Sequence, residues 1–140
     1  MSNLGVGVMI GRIFGNADTV AAITGAIGKT IASLVIDDED KRLLIGLEGG
    51  TILVLFDDGQ SCCEHRYMHT DDPLGDFVGS QFRGAEVRDG PTEADEWGES
   101  KESQFLIVHT SSGDFTVVNY NEHNGYYGGF WIVASTEQGA

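Results

Sequence analysis

Cys62, Cys63, Glu64 and His65 form the densest cluster of potential ligands and nucleophiles in the chain. On an extended strand Cys63 and His65 share one face, while Cys62 and Glu64 take the other. Zinc takes four ligands, commonly in pairs two to four residues apart. Only two soft ligands converge here, and His69, His109 or His123 would have to supply the rest. A cysteine nucleophile needs a histidine beside it at an attacking angle, yet Cys63 and His65 project in parallel. The cluster therefore reads as small buried side chains, with no metal and no catalytic role. Asp71, Asp72, Asp76 and Glu86 offer carboxylates for acid–base work. Around the Pro73 turn, such acids read instead as caps and Asx-turns.

Arg66, Arg83 and Arg88 are three of only 8 basic residues. If Arg66 and Arg83 meet across a sheet, they make a basic spot suited to a phosphate or carboxylate. Tyr126, Tyr127 and Trp131 would stack a base beside it. These six are the candidate ligand-binding residues. The competing reading pairs the arginines with local acids and buries the aromatics in the core. Two glycine motifs carry less. Gly5, Gly7, Gly11 and Gly15 resemble a phosphate loop, but no strand precedes them and no acid follows at the right distance. Gly28-Lys29-Thr30 has Ile23 where a P-loop needs its first glycine, and a helix where it needs a strand.

The elements that must position these residues are mostly strands. Leu43 to Met68 reads as three consecutive strands of an antiparallel meander, broken at Gly49-Gly50 and at Asp57-Asp58-Gly59. Ahead of it, Met1 to Gly15 reads as an apolar arm or edge strand that packs on the body or on a neighbouring copy. Asn16 caps a helix with Val20, Ile23, Ala26 and Ile27 on one face and Gly28 as its C′ residue. Thr30 to Ile36 is the first strand, with Ile31, Ser33 and Val35 on one side and Ala32, Leu34 and Ile36 on the other. Ile52 to Phe56 is a central strand covered on both faces. Leu74 to Val78 makes a single helical turn closed by Gly79, and Gln81 to Arg88 a short strand. Asp89 to Ser103 reads as a long exposed acidic loop. Its Asp89, Glu93, Asp95, Glu96 and Glu99 are the candidate protein-binding residues. Gln104 to Thr110 and Phe115 to Tyr120 make a hairpin, Phe130 to Ala134 is the last strand, and residues 135–140 are a tail. The expected architecture is α+β: an N-terminal helix, then a curled antiparallel sheet or partial barrel of about seven strands. One domain spans residues 16–134.

The 140 residues are 41% hydrophobic, enough for one globular core. With 22 acidic residues the formal charge is −14. Such a surface repels phosphate backbones, which argues against direct nucleic-acid binding and favours basic protein partners. Two adjacent cysteines make no disulfide framework, which fits a reducing interior. No apolar run approaches the roughly 18 residues of a membrane span. The N-terminus lacks the basic leader and cleavage site of a signal peptide.

From Gly28 onward the chain resembles an uncharacterised family of small domains encoded by phages and some bacteria. The resemblance is carried by Gly28-Lys29-Thr30-Ile31, Phe56-x-x-Gly59, Cys62-Cys63-Glu64, Gly75-Asp76-Phe77-Val78-Gly79, Ala85-Glu86 and Asn124-Gly125-Tyr126-Tyr127. It implies a phage origin and a β-rich domain, and it implies no activity. The expectation is a non-enzymatic phage accessory protein without a cofactor. It would act in the host cytoplasm by binding a basic host protein, as an inhibitor of an antiviral defence system would. The alternatives are a sponge for a nucleotide signal and a virion component. A homo-oligomer, in which the apolar arm finds cover, suits all three.

Overall fold

The computed structural model describes residues 17–37, 41–57, 65–94, 99–123, 130 and 132–138. The apolar arm, the Asn16 cap and the Cys62-Cys63-Glu64 cluster lie outside these residues. So do Asp95, Glu96, Asn124 to Gly129 and Trp131. Helix α1 (Ala17–Ala26) comes first. It ends at Gly28, whose φ of 91° is a left-handed value open to glycine. Ile23 and Ala26 point into the core, as their spacing requires.

Among the described residues eight strands follow: β1 (Ile31–Ile36), β2 (Arg42–Leu47), β3 (Thr51–Asp57), β4 (His65–His69), β5 (Phe82–Ala94), β6 (Ser100–Thr110), β7 (Gly113–His123) and β8 (Ile132–Gln138). They form two four-stranded antiparallel sheets. Sheet I has the order β1-β2-β3-β8 and sheet II the order β4-β7-β6-β5. An isolated bridge between Thr30 and Gln81 joins the sheets at one corner. Hydrogen bonds from Gly28 N to Phe82 O and from Phe82 N to Lys29 O extend that join. The sheets do not close into a barrel. Helix α1 contacts β8 of one sheet and β5 of the other. The Thr19 hydroxyl, fully buried, accepts a hydrogen bond from Ala134 N at 3.1 Å. A 3-10 turn at Leu74–Phe77, followed by Gly79 at φ 94°, packs on β1.

Several expectations change. The meander is β1-β2-β3 and stops there. The strand beginning at His65 crosses to sheet II and pairs with β7, while β8 takes its place beside β3. Gly49-Gly50 does turn β2 into its partner β3, whereas residues 58 and 59 of the second signal lie outside the described residues and β3 and β4 do not pair. A turn signal does not say which strand the chain pairs with next. In β1 a bulge between Ile31 and Ser33 shifts the alternation. Ile31 therefore joins Leu34 and Ile36 on the core side, and Ser33 and Val35 turn outward. The acidic stretch is no loop: β5 runs to Ala94 and β6 starts at Ser100. Among the described residues Asp89 and Glu93 lie on β5 and Lys101 and Glu102 on β6, on an exposed strand end that polar composition alone does not distinguish from a loop. Of the expected tail, Ser135 to Gln138 pair with β3 as part of β8.

The core is the space between the sheets. Leu43, Ile45, Leu53, Leu55, Ile132 and Ala134 from sheet I meet Met68, Phe82, Ala85, Leu106, Val108, Phe115 and Val117 from sheet II. Leu53, Val54 and Leu55 are consecutive and all buried, so β3 is covered on both faces as expected.

Candidate functional site

The inner face of sheet II is apolar at one end and polar at the other. Register puts Phe115, Val117, Asn119, Asn121 and His123 of β7 on that face, beside Leu106, Gln104 and Glu102 of β6 and Met68 and Arg66 of β4. Arg66 Nη1 donates to Asp57 Oδ2 at 2.7 Å, and each side chain is only 8% exposed. This ion pair ties β4 of sheet II to the end of β3 in sheet I. His123 Nε2 and Glu102 Oε1 are 2.7 Å apart, and Asn119 and Asn121 are fully buried. A buried, paired arginine holds the two sheets together and is not available to a phosphate.

The three candidate arginines are not brought together. Arg66 is on β4 and Arg83 and Arg88 are on β5, the opposite edges of sheet II. Three strand spacings separate those edges, about 14 Å. Arg88 is held by Glu86 at 2.7 Å on the outer face, and Arg83 is exposed beside the bulge that precedes Gly84. Tyr126, Tyr127 and Trp131 lie outside the described residues. The acids of the protein-binding set are also divided. Asp89 turns toward Gln104, whose amide donates to it at 3.3 Å. Glu93 faces outward opposite Lys101, and Glu99 is exposed at the hairpin end.

The other candidates have structural partners. Asp72 accepts a hydrogen bond from Thr116 N at 2.7 Å, and Asp71 lies 2.8 Å from His69. His109 is 2.8 Å from Asp114. Among the described residues no three His, Cys, Asp or Glu side chains gather as metal ligands.

The outer face of sheet II carries a constellation that the sequence analysis did not single out. Tyr67 of β4 and Tyr120 of β7 are register partners and stack with ring centroids 5.0 Å apart. His65 lies 4.8 Å from Tyr67, and Lys101 Nζ lies 4.6 Å from the Tyr120 ring centre. Tyr67 donates its hydroxyl to Glu122 at 2.5 Å. Partial burial first, then that hydrogen bond and the Glu122 charge, push the Tyr67 pKa up to about 12. A shallow groove of about 230 Å³ continues the stripe, lined by Tyr120, Lys101, Phe105, Val118, Pro91 and Glu93. Gly90 makes room there, because a Cβ would stand 2.6 Å from Ser103 Oγ.

Half-buried rings framed by Glu93 and Glu122 suit one kind of guest. A guanidinium or ammonium group stacks on the ring faces while its charge meets the carboxylates. Lys101 already makes such a contact with Tyr120 within the chain. The signal was present in the alternation His65-Tyr67-His69 and Val118-Tyr120-Glu122. It was hidden because β4 and β7 invert the usual rule, with Arg66, Asn119 and Asn121 inside and the tyrosines outside.

The fold and this face define a two-sheet α+β protein with an aromatic, acid-framed surface. The chain belongs to a family known as a domain of unknown function, DUF7448, whose family model matches residues 24–133. Neither the curated proteins nor the solved structures include a match to it. Among the described residues no helix is long and apolar enough to cross a membrane.

Proposed function

We propose that the chain is a non-enzymatic binding protein of phage origin. It acts in the host cytoplasm by docking its acidic surface on a basic host protein, and so inhibits an antiviral defence system. The observation that carries this reading is the outer face of sheet II. It is an aromatic stripe framed by carboxylates on a chain of net charge −14. Of the cations on that face, Arg88 is held by Glu86, and Lys101 stands over Tyr120 with Glu93 and Glu122 as its register partners, so acids match or outnumber them locally. The basic channel of a nucleic-acid-guided effector offers the complementary surface: guanidinium groups to stack and positive potential to speed encounter.

The test is association with such an effector, purified free of nucleic acid. Binding should weaken steeply as salt rises from low concentration to about 0.15 M, where charges are screened beyond roughly 8 Å. Salt-insensitive binding, or none, would count against the proposal.

A further inference from the structure

The cation site on the outer face of sheet II is filled from within the chain. Lys101 is exposed, and its Nζ stands 4.6 Å from the centre of the Tyr120 ring. Its register partners on both sides are acids, Glu93 on β5 and Glu122 on β7, so the three side chains form one row across three strands. Directly opposed residues of an antiparallel pair have Cβ atoms about 5 Å apart, so each carboxylate feels the ammonium between them. The ring is held in place. Tyr67 stacks on it from β4, on one side of β7, and Lys101 reaches it from β6, on the other. Glu122 is held as well, by the hydroxyl of Tyr67.

We infer, resting on the docking reading above, that Lys101 is a built-in competitor: its ammonium keeps the place of an arginine guanidinium of the partner, which displaces it from Tyr120 and settles between Glu93 and Glu122. An arginine head is the better guest. It is planar and weakly hydrated, so it stacks on a ring face, and its five donors serve two carboxylates at once. An ammonium is a compact charge that holds to its water. The exchange costs little, because one cation replaces another and neither carboxylate loses its countercharge. Lys101, on a flexible stem and already exposed, returns its head to solvent. The groove supplies a bed for the incoming stem, since beyond Tyr120 it continues over Phe105, Val118 and Pro91. Lys101 thereby sets a threshold. It lowers the affinity of every cationic partner, and it refuses lysine more firmly than arginine, because a lysine offers the ring nothing that Lys101 does not already give.

The test titrates a tetra-arginine peptide, acetylated and amidated, into the full chain at low salt by calorimetry. Lys101→Gln should tighten binding about threefold, the worth of one exposed cation–π contact. That gain should exceed the effect of Lys41→Gln, which removes the same charge from an exposed position beside Asp37. Tetra-lysine should bind more weakly than tetra-arginine. A second measurement needs no variant of Lys101. Held over the ring, its ε-methylene protons should resonate upfield of an ordinary lysine, and they should move back as the peptide is added. Signals that stay upfield at saturation would overturn the inference. So would a Lys101→Gln gain no larger than that of Lys41→Gln, equal binding of the two peptides, or no binding of tetra-arginine. Each of those results leaves the docking reading to its own test with the effector. Tyr120→Leu separates the two: it keeps an apolar side chain without a ring face and should weaken the peptide. Unchanged affinity there would overturn the inference and the docking reading together.

Discussion

Replacing Arg66 by alanine should unfold the protein more readily, whatever its effect on any ligand. The Arg66–Asp57 pair is 2.7 Å long and both side chains are 8% exposed. Removing one partner strands the other charge away from water, at a cost of about 3–5 kcal/mol. A domain of this kind has about 5–15 kcal/mol in all, so the loss is a large share. With a urea m-value of about 2 kcal/mol per molar, the midpoint should fall by roughly 2 M. Asp57→Ala should behave alike. The double variant Asp57→Leu with Arg66→Met should recover most of the loss, because no charge is left unpaired and the volume stays filled. Urea unfolding followed by tryptophan fluorescence measures all four proteins. Losses below about 1 kcal/mol for both single variants would mean that the pair is as wet as a surface bridge. The sealed polar end described above would then be wrong. A double variant as unstable as the sum of the singles would show that the two charges do not act as a pair.

The phenol of Tyr67 should resist ionisation, with its absorbance change centred near pH 12. Tyr67→Phe should delete that step, and Glu122→Gln should move it down. The folded pKa is raised, so the unfolded chain releases this proton first. The contribution of Tyr67 to stability is whole below pH 10 and is lost as the pH rises from 10 to about 12. Gly90→Ala should cost about 1–3 kcal/mol, because its Cβ meets Ser103 Oγ, the Ser103 carbonyl and the Phe105 ring. Gly46→Ala clashes only with the Ser33 hydroxyl, which can rotate away, and meets the Ser33 Cβ and backbone nitrogen at ordinary contact distance, so it should stay within about 0.5 kcal/mol. Thermal melts that rank the two glycines the other way would contradict the packing described on the two outer faces.

The local grammar of the chain was legible in its sequence, and its pairing was not. Gly28 and Gly79 mark the ends of their helical turns because each takes a positive φ that other residues resist. The Ser111-Ser112-Gly113 turn likewise joins β6 to β7 where the turn residues fall. Non-local choices left no comparable mark. Nothing in His65 to His69 says that it leaves the meander for β7, because a strand of mixed polarity suits either neighbour. The arginines show the same thing: Arg66 and Arg83 fall on strands consecutive in the chain, and strand order in sheet II sets them on opposite edges. The tyrosine stripe was missed because hydrophobic alternation identifies two faces without saying which is wet. In β7 the buried face carries Asn119, Asn121 and His123, so polarity pointed the wrong way. Only the partners of those residues, Glu102 and Gln104 on β6 and Arg66 on β4, resolve the choice.

The central claim is that the outer face of sheet II receives a basic partner. Calorimetric titration of the purified effector against the Tyr120→Ala, Glu122→Gln double variant tests it most directly, with Asp76→Asn in the exposed 3-10 turn as a control that also removes one charge. The account predicts at least a tenfold loss of affinity for the double variant, about 1.4 kcal/mol, and nearly unchanged binding for the control. Equal losses for the two, or no loss for either, would place the interaction elsewhere on the protein.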